Sequence, residues 1–235
     1  MISGENVISG TLHSSVFGGY TSNCEYEFLT QNTTAFIPTG AVPYQQYITD
    51  DVENSLIESF EEHGYTTYGM HSWYRTSYNR PSAYKFLGFD NILFEEEMKD
   101  LEYAAEGYPT DDSTYEQWYE IMDNKTSGEK NFSYIITMQN HMPYKENFGK
   151  EIFSRNKEIN AFLQRLNASD DALKNLIAYI DEYEEDIILL FFGDHQPNVK
   201  QEVYNTLVDK EEAKWMVPFF IYANFDIEEE KNVET

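Results

Sequence analysis

The feature that most constrains the fold is a run of six apolar residues, 187–192 (IILLFF), followed directly by Gly193, Asp194 and His195. An uninterrupted apolar run of this length is typical of a strand that is buried on both faces, as in a parallel sheet. In open α/β sheets, ligands bind beyond the carboxyl ends of the strands. We therefore expect Asp194 and His195 to lie at a binding site that can hold a divalent metal ion. A polar turn after a core strand is the simpler interpretation of this segment taken alone.

Helical and strand patterns alternate along the chain. Apolar residues recur at helical spacing in residues 51–63, and Ser169 or Asp170 is expected to cap a second helix. The expected strands are residues 65–70, 132–138, 187–192 and 216–222. This alternation predicts a three-layer α/β domain with a largely parallel sheet. The acid-rich residues 95–123 are expected to form a surface excursion with helical pieces.

Composition excludes several classes of function. The chain has 235 residues and a formal net charge of -26, which argues against nucleic acid because phosphate backbones attract Lys and Arg. Cys24 is the only cysteine, so an internal disulfide and a cysteine-based zinc cluster are excluded. No apolar stretch approaches the roughly 20 residues of a membrane span, and no signal peptide is visible. The length suits one large domain.

Three of the five histidines share one setting, at or just past the end of an expected strand: His71, His141 and His195. A single histidine in this setting is most often a hydrogen-bonded structural residue. Three at one edge of a sheet favour a shared site.

A second candidate feature is the segment of residues 17–30, FGGYTSNCEYEFLT. The Gly-Gly pair lets backbone pass close to a ligand, and Thr21 then opens an expected helix whose free N–H groups attract an anion. Thr21 is therefore a candidate nucleophile, activated by metal coordination. A simple helix cap is the alternative for this residue.

A third candidate feature is the segment of residues 71–81, HSWYRTSYNRP, which places two arginines beside a histidine and three aromatic residues. Guanidinium groups bind phosphoryl oxygens through paired hydrogen bonds, and aromatic faces accept a glycerol or sugar. An arginine-aromatic surface patch is the alternative interpretation.

Together these segments resemble the lipoteichoic acid synthase-like, phosphoglycerol transferase branch of the alkaline phosphatase and sulfatase superfamily. The resemblance runs in order through most of the chain. It is carried by residues 18–30 (GGYTSNCEYEFLT), 43–47 (PYQQY), 63–65 (HGY), 70–71 (MH), 78–80 (YNR), 84–85 (YK), 88–89 (GF), 137–144 (TMQNHMPY), 192–195 (FGDH) and 218–221 (PFFI). The Cys-x-Pro-x-Arg signature of formylglycine sulfatases is absent, so sulfate ester hydrolysis is not expected.

The resemblance implies an α/β/α alkaline phosphatase-like fold, Mn²⁺ (or Mg²⁺ or Zn²⁺) as cofactor, and a covalent phosphothreonine-type intermediate. It implies that Thr21 is the nucleophile and a metal ligand, and that Asp194 and His195 are metal ligands. The residues that it implies for the phosphoryl group and the glycerol or leaving group are His71, Tyr78, Arg80 and His141. It also implies a phosphatidylglycerol-like lipid donor, a polyol-phosphate acceptor, and a location on the extracellular face of a bacterial cell membrane, with membrane anchoring only through segments outside this chain.

Three departures from the family pattern stand out. The remaining acidic metal ligand of the family lies on a strand before the Gly-Gly-Thr segment, and the family domain continues beyond the Pro-Phe-Phe-Ile strand. Residues 1–235 are therefore expected to form a partial catalytic domain, truncated at both ends, that binds metal poorly by itself. At the position of a family aromatic the chain has Tyr78, which alters the fit to glycerol.

Two other functions remain open at this point. A phosphodiesterase, or a transferase of another alcohol phosphate such as phosphoethanolamine, would use the same site. A non-catalytic surface module would keep the fold and use the aromatic groove to bind polymer.

Overall fold

The computed structural model describes residues 6–145, 148–205 and 210–227. The strands are β1 (Val7–His13), β2 (Tyr65–His71), β3 (Asn91–Phe94), β4 (Lys130–Ile136), β5 (Ile188–Phe192) and β6 (Met216–Ala223). The helices are α1 (Thr21–Thr30), α2 (Pro43–Gln46), α3 (Leu56–Glu62), α4 (Arg80–Leu87), α5 (Asp111–Asn124), α6 (Lys157–Glu182), α7 (Gln201–Tyr204) and α8 (Lys210–Ala213). Short 3₁₀ turns lie at Thr34–Phe36, Ser77–Asn79 and Ala105–Gly107. In the described ranges, no helix is both long enough and apolar enough to cross a membrane.

One sheet has the strand order β3-β2-β4, and both of its pairings are parallel. His71, the last residue of β2, lies opposite Phe94 and Ile136 in the two neighbouring strands. The carboxyl ends of the three strands therefore meet at one edge. The loops that directly follow β2 and β4 therefore begin at that edge of the sheet.

The other sheet has the order β1-β6-β5, and both of its pairings are antiparallel. The α/β class is confirmed, but strand direction is mixed because only half of the strands in the described ranges form parallel pairs. The expectation that residues 187–192 are buried on both faces is wrong. Ile188 is 65% exposed and Leu190 40% exposed, because alternate side chains of β5 point to opposite faces and only one face packs on the core.

The main core joins the sheets to the two longest helices. Tyr115, Trp118 and Met122 of α5 are buried in one cluster with Leu176 and Ile180 of α6. The acid-rich segment 95–123 is thus not only a surface excursion, since the buried face of α5 lies within it.

Helix α6 begins earlier than its sequence indicates. Its first residue is Lys157, and the Asn156 side chain accepts the N–H groups of Glu158 and Ile159. The expectation that Ser169 or Asp170 caps this helix is wrong, because both residues lie in its interior. The Ser169 hydroxyl is used for side-chain hydrogen bonds instead of a cap, as described below.

Candidate active site

The loop that leads into α1 has a backbone conformation that favours glycine. Gly18, Gly19 and Tyr20 all have positive φ, at 66°, 151° and 65°. A Cβ placed on Gly18 would lie 2.7 Å from the Cβ of Asn198, so this loop packs directly against the loop after β5. The turn delivers Thr21 as the first residue of α1, among backbone N–H groups that have no partner within the helix.

The loop after β5 is anchored through its backbone. The Gly193 N–H donates to the Pro218 carbonyl at 3.0 Å. The Asp194 carbonyl accepts the Ser14 hydroxyl at 2.6 Å and the Cys24 thiol at 3.1 Å. Asp194 is therefore fixed from the end of β1 and from α1 at once, which leaves its carboxylate to face Thr21.

Thr21, Asp194 and His195 meet in the structure, although 173 residues separate the first two. The Thr21 hydroxyl donates to Asp194 Oδ2 at 2.6 Å, and His195 Nε2 lies 3.3 Å from the same oxygen. His195 Nδ1 lies 2.9 Å from the Gln196 carbonyl, which can only accept, so the ring proton belongs on Nδ1. The lone pair of the neutral ring is then on Nε2 and faces the carboxylate.

These three groups fit a hard or borderline divalent metal ion as a partial ligand set. His195 Nε2 and Asp194 Oδ2 lie 3.3 Å apart, so both residues would be available to hold one cation. A histidine ligand usually donates its other ring N–H to a carbonyl, as His195 does to Gln196. A threonine oxygen, a carboxylate and an imidazole suit Mg²⁺, Mn²⁺ or Zn²⁺. Among the described residues there is no cluster of three or more His, Cys, Asp or Glu that could hold a metal.

His71 and His141 interact electrostatically with each other, and His141 also interacts with Asp194 and His195. His71 is 2% exposed, and its burial lowers its pKa well below the ordinary value, with the Arg80 charge acting in the same direction. Desolvation by the surrounding loops also lowers the pKa of His141, although part of its ring is exposed, and His195 adds to this effect. Both imidazoles are therefore held in the neutral form, as hydrogen-bonding groups.

Arg80 is buried and already paired. Its side chain binds Glu25 through two contacts of Nε at 3.1 Å and a third contact from Nη2 to Oε1. Tyr84 donates to the same carboxylate at 3.0 Å, and the Arg80 guanidinium lies 5.2 Å from the centre of the Tyr78 ring. Burial is the largest single effect on the pKa of Arg80 and lowers it, but Glu25, Tyr84 and Tyr44 together raise the pKa above its ordinary value.

The seven residues named from the sequence are thus linked by contacts or by electrostatic interactions, and their chemical roles stay predictions. One expectation needs correction: the three histidines do not follow strands of one sheet. His71 and His141 follow β2 and β4, whereas His195 follows β5 of the antiparallel sheet. The three histidines come together because loops from the two sheets meet, and not because all three lie at one edge of one sheet.

Glu25 is a site residue that the sequence analysis missed. The sequence did contain a hint of this role, because Glu25 lies four residues after Thr21 and so on the same face of α1. A carboxylate on a buried helix face needs a cationic partner. Tyr108, which contacts His141, gave no local signal at all.

Comparison with known proteins defines the class. The sequence model of the family described as Sulfatase matches residues 5–235, so the chain belongs to the sulfatase family. The chain is also similar to solved structures at identities that report on the fold. It aligns with the Streptococcus pyogenes phosphoglycerol transferase GacH, solved in complex with sn-glycerol-1-phosphate, with a TM-score of 0.78 and 22% identity over 96% of this chain and 61% of that one. A protein of the alkaline phosphatase superfamily from Vibrio parahaemolyticus aligns with a TM-score of 0.72 and 17% identity, over 92% of this chain and 52% of that one. The predicted alkaline phosphatase-like fold is confirmed.

Two curated proteins are similar to the chain in sequence. The "Putative cyclic beta-1,2-glucan modification protein" of Rhizobium meliloti (strain 1021) is 32% identical over 80% of this chain and 30% of that protein. Lipoteichoic acid synthase 1 of Bacillus subtilis (strain 168) is 22% identical over 69% of this chain and 25% of that protein. The chain therefore spans less than a third of the length of these relatives. The resemblance to the lipoteichoic acid synthase-like branch, stated from the sequence, is confirmed by these matches together.

Proposed function

We propose that this chain carries the nucleophile of a metal-dependent phosphoglycerol transferase, which acts through a covalent phosphothreonine on Thr21. The observation that supports this most is the 2.6 Å hydrogen bond from the Thr21 hydroxyl to Asp194, with His195 beside the same carboxylate oxygen. A threonine hydroxyl is a weak nucleophile unless a base or a metal activates it. Here a carboxylate already accepts a hydrogen bond from this hydroxyl, at the start of a helix.

Mn²⁺, Mg²⁺ or Zn²⁺ would be held by Thr21, Asp194 and His195. When bound, the ion would polarise a phosphoryl oxygen and lower the pKa of the Thr21 hydroxyl. Backbone groups of the chain itself contribute in two ways. The free N–H groups at the start of α1 face the developing negative charge, and the Gln196 carbonyl keeps the His195 lone pair on Nε2.

The substrate in this proposal is a phosphatidylglycerol-like lipid. The Thr21 oxygen forms a bond to phosphorus as the bond from phosphorus to the diacylglycerol oxygen breaks, so that Thr21 loses a proton and the released diacylglycerol oxygen gains one. An acceptor hydroxyl later loses its proton and forms a bond to phosphorus, and the Thr21 oxygen leaves and regains a proton. His71, Tyr78, Arg80 and His141 surround the transferred phosphoglycerol. In this arrangement Arg80 acts with its charge shared with Glu25.

The acceptor is a hydroxyl of a cell-envelope polymer. The name of the Bacillus subtilis relative supports a polyol phosphate, and the name of the Rhizobium meliloti relative supports a saccharide. A lipid donor and an envelope acceptor place the domain at the extracellular face of a bacterial membrane, with anchoring by segments outside this chain.

Turnover of fluorescent phosphatidylglycerol by the protein that contains this chain tests the proposal. We expect release of diacylglycerol that stops with EDTA and returns with Mn²⁺. Thr21→Ala should abolish release, by a factor of roughly 10³ or more for a lost covalent nucleophile, whereas Thr21→Ser should retain part of it. Thr11→Ala, at an exposed position of β1, is the matched control and should leave turnover unchanged.

Unimpaired turnover by Thr21→Ala would remove Thr21 from the mechanism. A wild-type protein that binds envelope polymer but releases no diacylglycerol would instead favour the non-catalytic module.

A further inference from the structure

Tyr108 links the acid-rich segment of residues 95–123 to the candidate site. It follows the 3₁₀ turn Ala105–Gly107, and its side chain is 9% exposed. Its hydroxyl donates to the Met142 carbonyl at 2.7 Å and lies 2.9 Å from His141 Nδ1. One hydroxyl thus contacts both the histidine and the backbone that follows it.

The hydrogen-bond partners decide which nitrogen of His141 carries the proton. The Met142 carbonyl accepts only, so the single proton of the Tyr108 hydroxyl points to it. The hydroxyl then offers only lone pairs to His141 Nδ1. The Met142 carbonyl, 2.5 Å from the same nitrogen, is a second acceptor. Nδ1 must therefore carry the hydrogen, and the lone pair of the neutral ring lies on Nε2.

The His141 loop is held on several sides. The Arg165 side chain, which is fully buried, donates from Nη1 to the His141 carbonyl at 2.9 Å and pairs with Glu106 of the same acid-rich segment. The centre of the Tyr108 ring lies 5.0 Å from that of the His141 ring and 4.8 Å from that of the Trp73 ring. Residues 106–108 thus contact the loop directly through the Tyr108 hydroxyl and ring, and indirectly through Arg165 of α6, which pairs with Glu106 and donates to His141.

We propose that Tyr108 is a positioning residue, which holds His141 in the Nδ1–H tautomer so that Nε2 accepts a hydrogen bond from a substrate hydroxyl. The identity of that hydroxyl, on the glycerol or on the acceptor, rests on the proposed function. The tautomer and its dependence on Tyr108 do not rest on it. The acid-rich segment thereby gains a role in the site, since it supplies Tyr108 and Glu106.

The test compares Tyr108→Phe, which keeps the ring and removes the hydroxyl, with Tyr103→Phe as the matched control. Tyr103 lies in the same segment, is 53% exposed and donates to Glu95 at 2.8 Å, away from His141. ¹⁵N NMR of the histidine rings, assigned with a His141→Gln variant, reports the tautomer. Turnover of phosphatidylglycerol is measured in parallel, and an unchanged unfolding midpoint shows that each variant folds.

We expect the wild-type protein to show the Nδ1–H tautomer at His141. Tyr108→Phe removes one of the two acceptors of the Nδ1 hydrogen and leaves the Met142 carbonyl, so the two His141 ¹⁵N shifts should move part of the way toward those of a ring that exchanges between tautomers. The same variant should lower kcat roughly three- to tenfold, the effect of one lost neutral hydrogen bond, and unchanged ¹⁵N shifts would overturn the proposal. Tyr103→Phe should change neither. An Nε2–H tautomer in the wild-type protein, or a kcat for Tyr108→Phe equal to that of the control, would overturn the proposal. If the NMR result holds while the wild-type protein releases no diacylglycerol, the proposed function fails and the assignment of the tautomer stands.

Discussion

The buried pair of Arg80 and Glu25 gives the sharpest prediction of stability. The two side chains are 2% and 1% exposed, and the Arg80 contacts to the Glu25 carboxylate are supplemented by the Tyr84 hydroxyl. Glu25→Gln keeps the shape and one acceptor oxygen but removes the negative charge. Arg80 then remains charged in a site that water does not reach.

The expected cost follows from that burial. Removing one partner of a buried ion pair typically destabilises a protein by about 3–5 kcal/mol, because the other charge is left without compensation. An exposed pair contributes only about 0–1 kcal/mol. Glu96→Gln is the matched control, since Glu96 faces Arg75 at 3.6 Å with both side chains 45% exposed.

Urea unfolding at neutral pH measures both variants. We expect Glu25→Gln to lose about 3–5 kcal/mol of unfolding free energy, and Glu96→Gln to lose less than about 1 kcal/mol. In the double variant Glu25→Gln, Arg80→Met, the uncompensated charge is gone, so it should be more stable than Glu25→Gln alone. Equal small losses for Glu25→Gln and Glu96→Gln would refute the argument that this charge pair supports the fold.

Two further predictions concern pH and the loop before α1. Because burial lowers the pKa of His71 in the folded state, the unfolded state binds its proton more readily, so stability should fall as pH drops below about 6.5. His71→Gln should reduce that loss, which urea unfolding between about pH 5 and 7 measures, and an unchanged pH dependence would contradict it. Gly18→Ala should destabilise the protein by about 1–3 kcal/mol because its φ is 66°. The loss of unfolding free energy should be larger still, because the added Cβ would lie 2.7 Å from the Cβ of Asn198. Gly40→Ala, with a φ of 81° and open space around it, should carry the strain alone, and equal losses in unfolding free energy for the two variants would contradict the packing argument.

Much of the local structure could be predicted because its signals are local. The apolar run before Gly193 gave a strand, observed as Ile188–Phe192, and the Gly-Gly pair followed by Thr21 gave the start of a helix. The contact between Thr21 and Asp194 was also expected, because both segments occur in order in the family that the sequence resembles. These features depend on a few neighbouring residues each.

The partners of each element could not be predicted in the same way. An apolar run shows that a strand packs against something, but not which strand pairs with it, so β5 was expected in a parallel sheet and lies at an edge of an antiparallel one. Ser169 looks like a helix cap in sequence. In the structure its hydroxyl donates to Asp111 and accepts from Asn140 at 2.6 Å, partners that are close only after folding.

The same reason explains the missed site residues. Tyr108 is one tyrosine among nineteen, and its role depends on a loop more than thirty residues away. Glu25 is one acid among forty-two acidic residues, most of which only contribute surface charge.

The covalent intermediate on Thr21 is the central claim, and one measurement tests it directly. The protein is mixed with phosphatidylglycerol and Mn²⁺, stopped with acid before an acceptor is added, and its peptides are analysed by mass spectrometry. We expect a glycerol phosphate group on the peptide that contains Thr21, and we expect this group to disappear when an acceptor alcohol is supplied. An unmodified Thr21 peptide during steady release of diacylglycerol would contradict it.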